Sequence, residues 1–190
     1  MTRIGISGNI GSGKSLIVKI LRLLGYPVFI ADDISKNHLF DLKNRNQLIQ
    51  ILGNQIINSE RELSTKEISK IIFSNKDKKL DLENFLHPLV INDFELWSKN
   101  QTKIHFMESA IIFEKKLEYL FDYVIHISAP VDVRIDRCLK RGDGSIEDIR
   151  NRIMNQIEDS IKIKKSDFVI YNYSNKAILP QIDEILSQII

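Results

Sequence analysis

Eight consecutive residues, Gly8-Asn9-Ile10-Gly11-Ser12-Gly13-Lys14-Ser15, fit the pattern G-x-x-x-x-G-K-[ST] at every fixed position. Glycines at these places let the backbone turn tightly, so that successive N–H groups point inward at phosphate oxygens. A helix opening at Lys14 would add about half a positive charge at the same point. Lys14 then reaches the terminal phosphates of a nucleoside triphosphate, and the Ser15 hydroxyl is placed to ligate Mg²⁺. Gly8, Gly11, Ser12, Gly13, Lys14, Ser15 and the adjoining Leu16 form the candidate nucleotide-binding set.

Two further groups could act on a phosphate held there. Asp32 follows the second predicted strand, and in a doubly wound sheet ligands sit beyond the carboxyl ends of strands. Its carboxylate could take the proton of an acceptor hydroxyl. The competing reading is a helix N-cap, a place Asp favours, with Asp33 taking the cap if Asp32 is catalytic. The other group is the basic run Arg134, Arg137, Lys140, Arg141, Arg150 and Arg152 around Gly142 and Gly144. Arg137 and Arg141 are four apart and share a helix face. Such a lid would exclude water and stabilise transition-state charge. Its competitor is a solvated helix balanced by Glu147, Asp148 and Glu158. Glu108 and Glu114 flank the third strand's end, a place for an acid near Mg²⁺; Glu108 reads equally well as a surface acid. His38, His105 and His126 show no zinc spacing with Cys138. His87 and Trp97 read as structural on residue type alone.

These side chains need a scaffold. Residues 3–7 read as a strand and 14–24 as a helix, with Ile17, Val18, Leu21 and Leu24 at helical spacing. Gly25 caps it and Pro27 blocks its continuation. A second strand at 28–31 completes a βαβ unit, which implies a parallel sheet. The stretch from about residue 33 to 100 lacks clear strands. A helix starts there with Ser64 and Glu67 as a capping box, and another runs over 77–97, bent or interrupted at Pro88. Strands return at 103–112, 123–128 and 167–171. Helices are predicted over 131–139, 146–165 and 177–189. The expected fold class is α/β: a P-loop kinase core with a parallel five-stranded sheet flanked by helices, a helical substrate-binding insertion and a basic lid. The core takes 1–32 and 103–190, with the lid at about 141–165, and the insertion takes 33–102.

Composition narrows the function. The chain has 190 residues, 43% hydrophobic and 27% charged, enough apolar content for a folded core. Its net charge of +2 advertises neither nucleic acid nor an anionic membrane. A single cysteine and the lack of a signal-like or spanning apolar run fit a soluble cytoplasmic protein. A GTPase would carry N-K-x-D, whereas Asn75-Lys76-Asp77-Lys78 ends in Lys, and no D-x-x-G is present. A compact small-molecule kinase remains. A non-catalytic nucleotide-binding regulator is the rival from another class.

The assembled motifs resemble the dephospho-CoA kinase family over nearly the whole chain. The phosphate loop is similar to the family's G-G-I-G-S-G-K-S, and Ala31-Asp32 with Ile34 to its D-A-D-x-I-A-R. Leu86-His87-Pro88-Leu89-Val90 matches its H-P motif and Ile112-Phe113-Glu114 the end of its P-L-L-F-E segment. Arg137, Arg141, Arg152 and Gln156 fall on its lid pattern, with Lys162 on a lysine soon after. Residues 166–172 resemble A-D-x-V-I-x-N. The resemblance implies transfer of the γ-phosphoryl of ATP, with Mg²⁺, to the ribose 3′-hydroxyl of dephospho-CoA. It implies Asp32 as general base, with Lys14 and the lid arginine Arg141 also catalytic. Arg137 and Asn172, on the adenine side, would bind nucleotide; His87 and Lys36 would contact the acceptor. Ile30 replaces the first Asp of D-A-D, Leu16 the usual Thr, Ser109-Ala110 the usual x-Pro and Lys36 the usual Arg. The partners implied are ATP and dephospho-CoA, without nucleic acid or membrane; a monomer is expected, with an oligomer left open. Another nucleoside or nucleotide kinase is the alternative.

Overall fold

The computed structural model describes residues 1–58, 60, 62–174 and 176–189. Five strands form one parallel sheet: β1 (Arg3–Gly8), β2 (Val28–Ile30), β3 (His105–Glu108), β4 (Tyr123–Ser128) and β5 (Phe168–Tyr171). Their spatial order is β2-β3-β1-β4-β5, and the parallel five-stranded sheet is the one expected. β1, β3 and β4 are buried along almost their whole length, the condition that makes inner strands of a covered parallel sheet read as continuous apolar runs.

The register gathers the strand ends. Ile6 stands opposite Glu108, Gly8 opposite Ile127, and Ser128 opposite Tyr171. The residues that follow β1, β3 and β5 therefore emerge along one edge. The helices are α1 (Lys14–Leu23), α2 (Ala31–Phe40), α3 (Arg45–Leu52), α4 (Thr65–Ser74), α5 (Lys76–Lys99), α6 (Val131–Arg141), α7 (Ile146–Met154), α8 (Asp159–Lys165) and α9 (Ile178–Ile189). α1 packs Ile17, Val18 and Leu21 inward, and Gly25 follows at φ 86°. No helix among the described residues is long and apolar enough to cross a membrane.

The chain falls into two compact units: Met1–Phe29 with Gln101 onward, and Ile30–Asn100. The second unit has its own core of Leu48, Leu52, Ile56, Ile68, Leu82 and Leu86. Within it, His38 Nε2 meets Asp93 Oδ2 at 2.8 Å, tying α2 to α5.

Several local expectations are revised. α5 runs unbroken through Pro88 for 24 residues. Asn84, whose carbonyl loses its helical donor there, and Pro88 are both exposed, so water can serve that carbonyl. Only half of the Ser64 box forms: Ser64 accepts the Glu67 N–H, while the Glu67 carboxylate turns to Lys70 at 2.7 Å. The strand expected over 103–112 is confined to 105–108. The helix expected over 146–165 is two helices, α7 and α8, parted at 155–158. α7 opens on a reciprocal capping box between Ser145 and Asp148.

Candidate active site

The loop joining β1 to α1 is shaped by three glycines, each for a different reason. A Cβ on Gly8 would meet Ser12 Oγ at 2.5 Å and the Ile127 carbonyl at 3.1 Å. Gly11 and Gly13 adopt φ 75° and 98°, where L side chains are strained. A Cβ on Gly11 would meet the Arg134 carbonyl at 2.5 Å, and one on Gly13 would overlap Asn172 Nδ2. The turn is closed by the Ser12 N–H on the Asn9 carbonyl at 3.1 Å. Lys14 Nζ donates to the Gly8 carbonyl at 3.0 Å and lies 3.7 Å from Glu108 Oε1. Ser15 is exposed in the first turn of α1.

A ring of polar contacts fixes the far wall. Asn172 leaves β5 with its N–H on the Ser128 carbonyl at 2.9 Å, and its Nδ2 donates to the Ser12 carbonyl at 2.8 Å. Arg137 on α6 donates to the Ser12 carbonyl at 3.2 Å and to the Asn172 carbonyl at 2.9 Å. Gly11, Gly13, Ser15, Leu16, Arg137, Arg141 and Asn172 line one cleft of about 310 Å³. A larger cavity of about 750 Å³, lined by Thr2, Tyr26, Ile104 and neighbours, lies at the opposite ends of the strands and holds none of the predicted site residues.

The first unit thus brings the phosphate loop, Arg137, Arg141 and Asn172 together. Asp32, Lys36 and His87 belong to the second unit. Asp32 is exposed in the first turn of α2, two residues beyond β2, and Lys36 lies one turn further along the same helix. Neither Asp32 nor Asp33 is the N-cap: Ile30 occupies that position, and both acids sit inside the first turn, where they complement the helix dipole. His87 is half-buried on α5.

The basic run is not a uniform lid. Arg134 is 2% exposed, with its Nε and Nη1 buried and without hydrogen-bond partners, and its backbone packs on Gly11. Arg137 braces the loop. Arg141 is largely exposed and pairs with Asp143. Residue types alone could not separate these roles, because they depend on which face of α6 meets the loop.

Sequence reasoning passed over Asp159 as a site residue. Asp159 accepts from Ser128 Oγ at 2.6 Å and from His126 Nε2 at 3.0 Å. Burial pushes the Asp159 carboxyl up, but those two hydrogen bonds, together with the charges of His126 and Arg134 nearby, hold the pKa below the usual range. Glu114 is engaged by Lys162, whose Nζ lies 2.6 Å from its Oε1. Burial lowers the pKa of Lys162, and Glu114 opposes that shift. No local signal marks Asp159, since its partners lie on another element.

A phosphate loop between the first strand and first helix of a parallel α/β sheet, with its lysine at the sheet edge and arginines over the cleft, defines a P-loop kinase. The sequence matches the family described as CoaE, dephospho-CoA kinase, over residues 2–177. A dephospho-CoA kinase of Bacteroides fragilis (strain YCH46) is 32% identical over 188 residues, covering 97% of this chain and 91% of the relative. Among solved structures, dephospho-CoA kinase from Campylobacter jejuni superposes with a TM-score of 0.70 at 27% identity, covering 98% and 96% of the two chains. TT1252 from Thermus thermophilus gives 0.86 at 27% identity, covering 100% and 98%. The chain belongs to the dephospho-CoA kinase family, and its activity is that of a kinase.

Proposed function

We propose that this protein transfers the γ-phosphoryl group of ATP to the ribose 3′-hydroxyl of dephospho-CoA, giving coenzyme A and ADP, the last step of coenzyme A synthesis. The observation that carries the reading is an intact phosphate loop within a family match that spans residues 2–177. Gly8, Gly11, Ser12, Gly13 and Lys14 hold the ATP phosphates, with Leu16, Arg137 and Asn172 bounding the nucleotide cleft. Arg141, on the same cleft and largely exposed, can swing to the transferring group. Asp32 takes the proton of the attacking hydroxyl, and Lys36 and His87 contact the acceptor. Positioning and electrostatics supply most of the rate in such transfers.

The donors present fit Mg²⁺. Ser15 Oγ and the Glu108 carboxylate are hard oxygen ligands of the kind Mg²⁺ takes. That is the pattern of an ion carried chiefly by substrate phosphates with one or two protein oxygens. Bound there, Mg²⁺ would neutralise charge on the phosphates.

The test is a coupled ADP-release assay with dephospho-CoA and a nucleoside and nucleotide panel as acceptors, with product mass determined. Dephospho-CoA-dependent ADP release and a gain of one phosphoryl group are expected. Release driven by a nucleoside instead would move the protein to the rival kinase class, and tight ATP binding without product would make it a regulator. Asp32→Asn should keep ATP binding and lose turnover by about two to four orders of magnitude; near-parental turnover would reduce Asp32 to a helix-dipole acid.

A further inference from the structure

The break between α7 and α8 has a use. Over residues 155–158 the helical ladder lapses, and the freed groups find partners far away in sequence. Gln156 Oε1 accepts the Ile10 N–H at 2.9 Å, and the Ile157 carbonyl accepts from Asn9 Nδ2 at 3.2 Å. Asn9 and Ile10 are the two residues between Gly8 and Gly11, so this segment grips the entry of the phosphate loop. The grip is anchored behind: the Ile157 N–H is donated to Glu114 Oε1 at 3.3 Å. Glu114 Oε1 is in turn held by Lys162 Nζ at 2.6 Å, and the same ammonium reaches the Ala110 carbonyl at 3.4 Å.

Lys162 is 0% exposed. A buried ion pair is weak evidence of stability, because removing both charges from water costs about what their attraction returns. What such a pair does supply is a fixed geometry, and here the Ile157 N–H that Glu114 accepts belongs to the residue whose carbonyl holds Asn9 of the phosphate loop. Loop N–H groups bind phosphate well only when their directions are set in advance.

We propose that Gln156, Glu114 and Lys162 form a latch of positioning residues that sets the backbone of Asn9 and Ile10 and thereby the affinity of the loop for a nucleoside triphosphate. The latch rests on the nucleotide-binding half of the proposed function and is indifferent to the acceptor.

The latch is tested by calorimetric titration of MgATP, steady-state kinetics and thermal unfolding on the full chain. Gln156→Ala removes the acceptor of the Ile10 N–H and leaves the buried pair alone. Its ATP dissociation constant and KM for ATP should rise about tenfold, the worth of one well-made hydrogen bond. KM for dephospho-CoA should stay within about twofold. The double variant Glu114→Gln with Lys162→Met removes both charges together, so neither is left buried unpaired; its loss in ATP affinity should match. Combining all three changes should add little, because the groups act through one contact. Lys164→Met removes a charge from an exposed site on the same helix and should bind ATP as the parent does. Parental ATP affinity in Gln156→Ala overturns the proposal. So does a double variant that melts lower yet binds ATP normally, or losses that multiply in the triple variant. Should the double variant not fold, Gln156→Ala alone decides. A parent that binds MgATP but leaves dephospho-CoA unphosphorylated would overturn the acceptor assignment instead, with the latch still read from ATP affinity.

Discussion

Arg137→Ala is the substitution for which the geometry gives the firmest magnitude. The guanidinium makes two short hydrogen bonds, to the Ser12 carbonyl at 3.2 Å and the Asn172 carbonyl at 2.9 Å. Two longer approaches, to the Gly11 carbonyl and Asn172 Oδ1, are each 3.4 Å. A hydrogen bond from a charged donor contributes about 1.5–3 kcal/mol. Arg137 is only half-buried, so the lower bound applies to the two short bonds and the long ones are set at zero. The loss is then about 3 kcal/mol, and a chain of this size loses about 2–4 °C of Tm per kcal/mol, or about 6–12 °C in all. Arg137→Lys keeps the charge but not the planar fork that spans two carbonyls on different segments, so it should recover less than half of that. Differential scanning calorimetry of the three proteins, with and without ATP, measures both the fall and the ATP-induced rise, which should shrink in each variant. A melting point of Arg137→Ala within about 2 °C of the parent would refute the bracing argument. Full recovery by lysine would refute the fork and leave charge alone as the contribution of this residue.

Gly11→Ala should cost about 2–5 kcal/mol, summing left-handed strain and the overlap with the Arg134 backbone; thermal unfolding together with ATP titration checks it, and normal ATP binding would contradict it. Lys14→Ala should lower kcat at least about a hundredfold in the ADP-release assay, the scale for losing one preorganised transition-state donor. Asp159→Asn should flatten the acid side of the stability profile. Its folded pKa lies below the unfolded value of about 3.9, so between the two the unfolded chain holds more protons and stability rises with pH. That contribution is complete above about pH 5 and is lost as pH falls through the folded value. Melting curves from about pH 6 to pH 3 will show it; an unchanged acid slope in the variant would rule it out.

The phosphate loop was legible because its function is local: eight neighbouring residues, a turn and a helix start carry it. The strands were legible for a related reason, since burial on both faces of the inner ones writes a near-continuous apolar run such as 123–128. The joint at 155–158 was not. Ile149, Ile153, Ile157 and Ile161 keep a four-residue spacing that reads as one helix, and the break appears only because Asn9, Ile10 and Glu114 compete for the backbone and side chains there. Arg134 and Arg137 show the same limit. Three residues apart on one helix, they were indistinguishable in the basic run, yet one is sealed beneath the loop and the other clasps it from the cleft. Asp159 offered nothing local either, as His126 and Ser128 reach it from β4.

The placement of β1 at the middle of the sheet has a consequence for the order of events during synthesis. Both of its edges are completed late: Ile4 pairs with Phe106 on one side and Tyr123 on the other. At about 5–20 residues per second, a nascent β1 waits about 5–20 s with neither edge satisfied. The unit from Ile30 to Asn100 is under no such delay, because its core residues, Leu48 to Leu86, all emerge within that interval. It can condense on the ribosome while β1, apolar at Ile4 and Ile6, stays open to wrong pairing. The segment that carries the phosphate chemistry is made before either of its partners and gains its shape only after both.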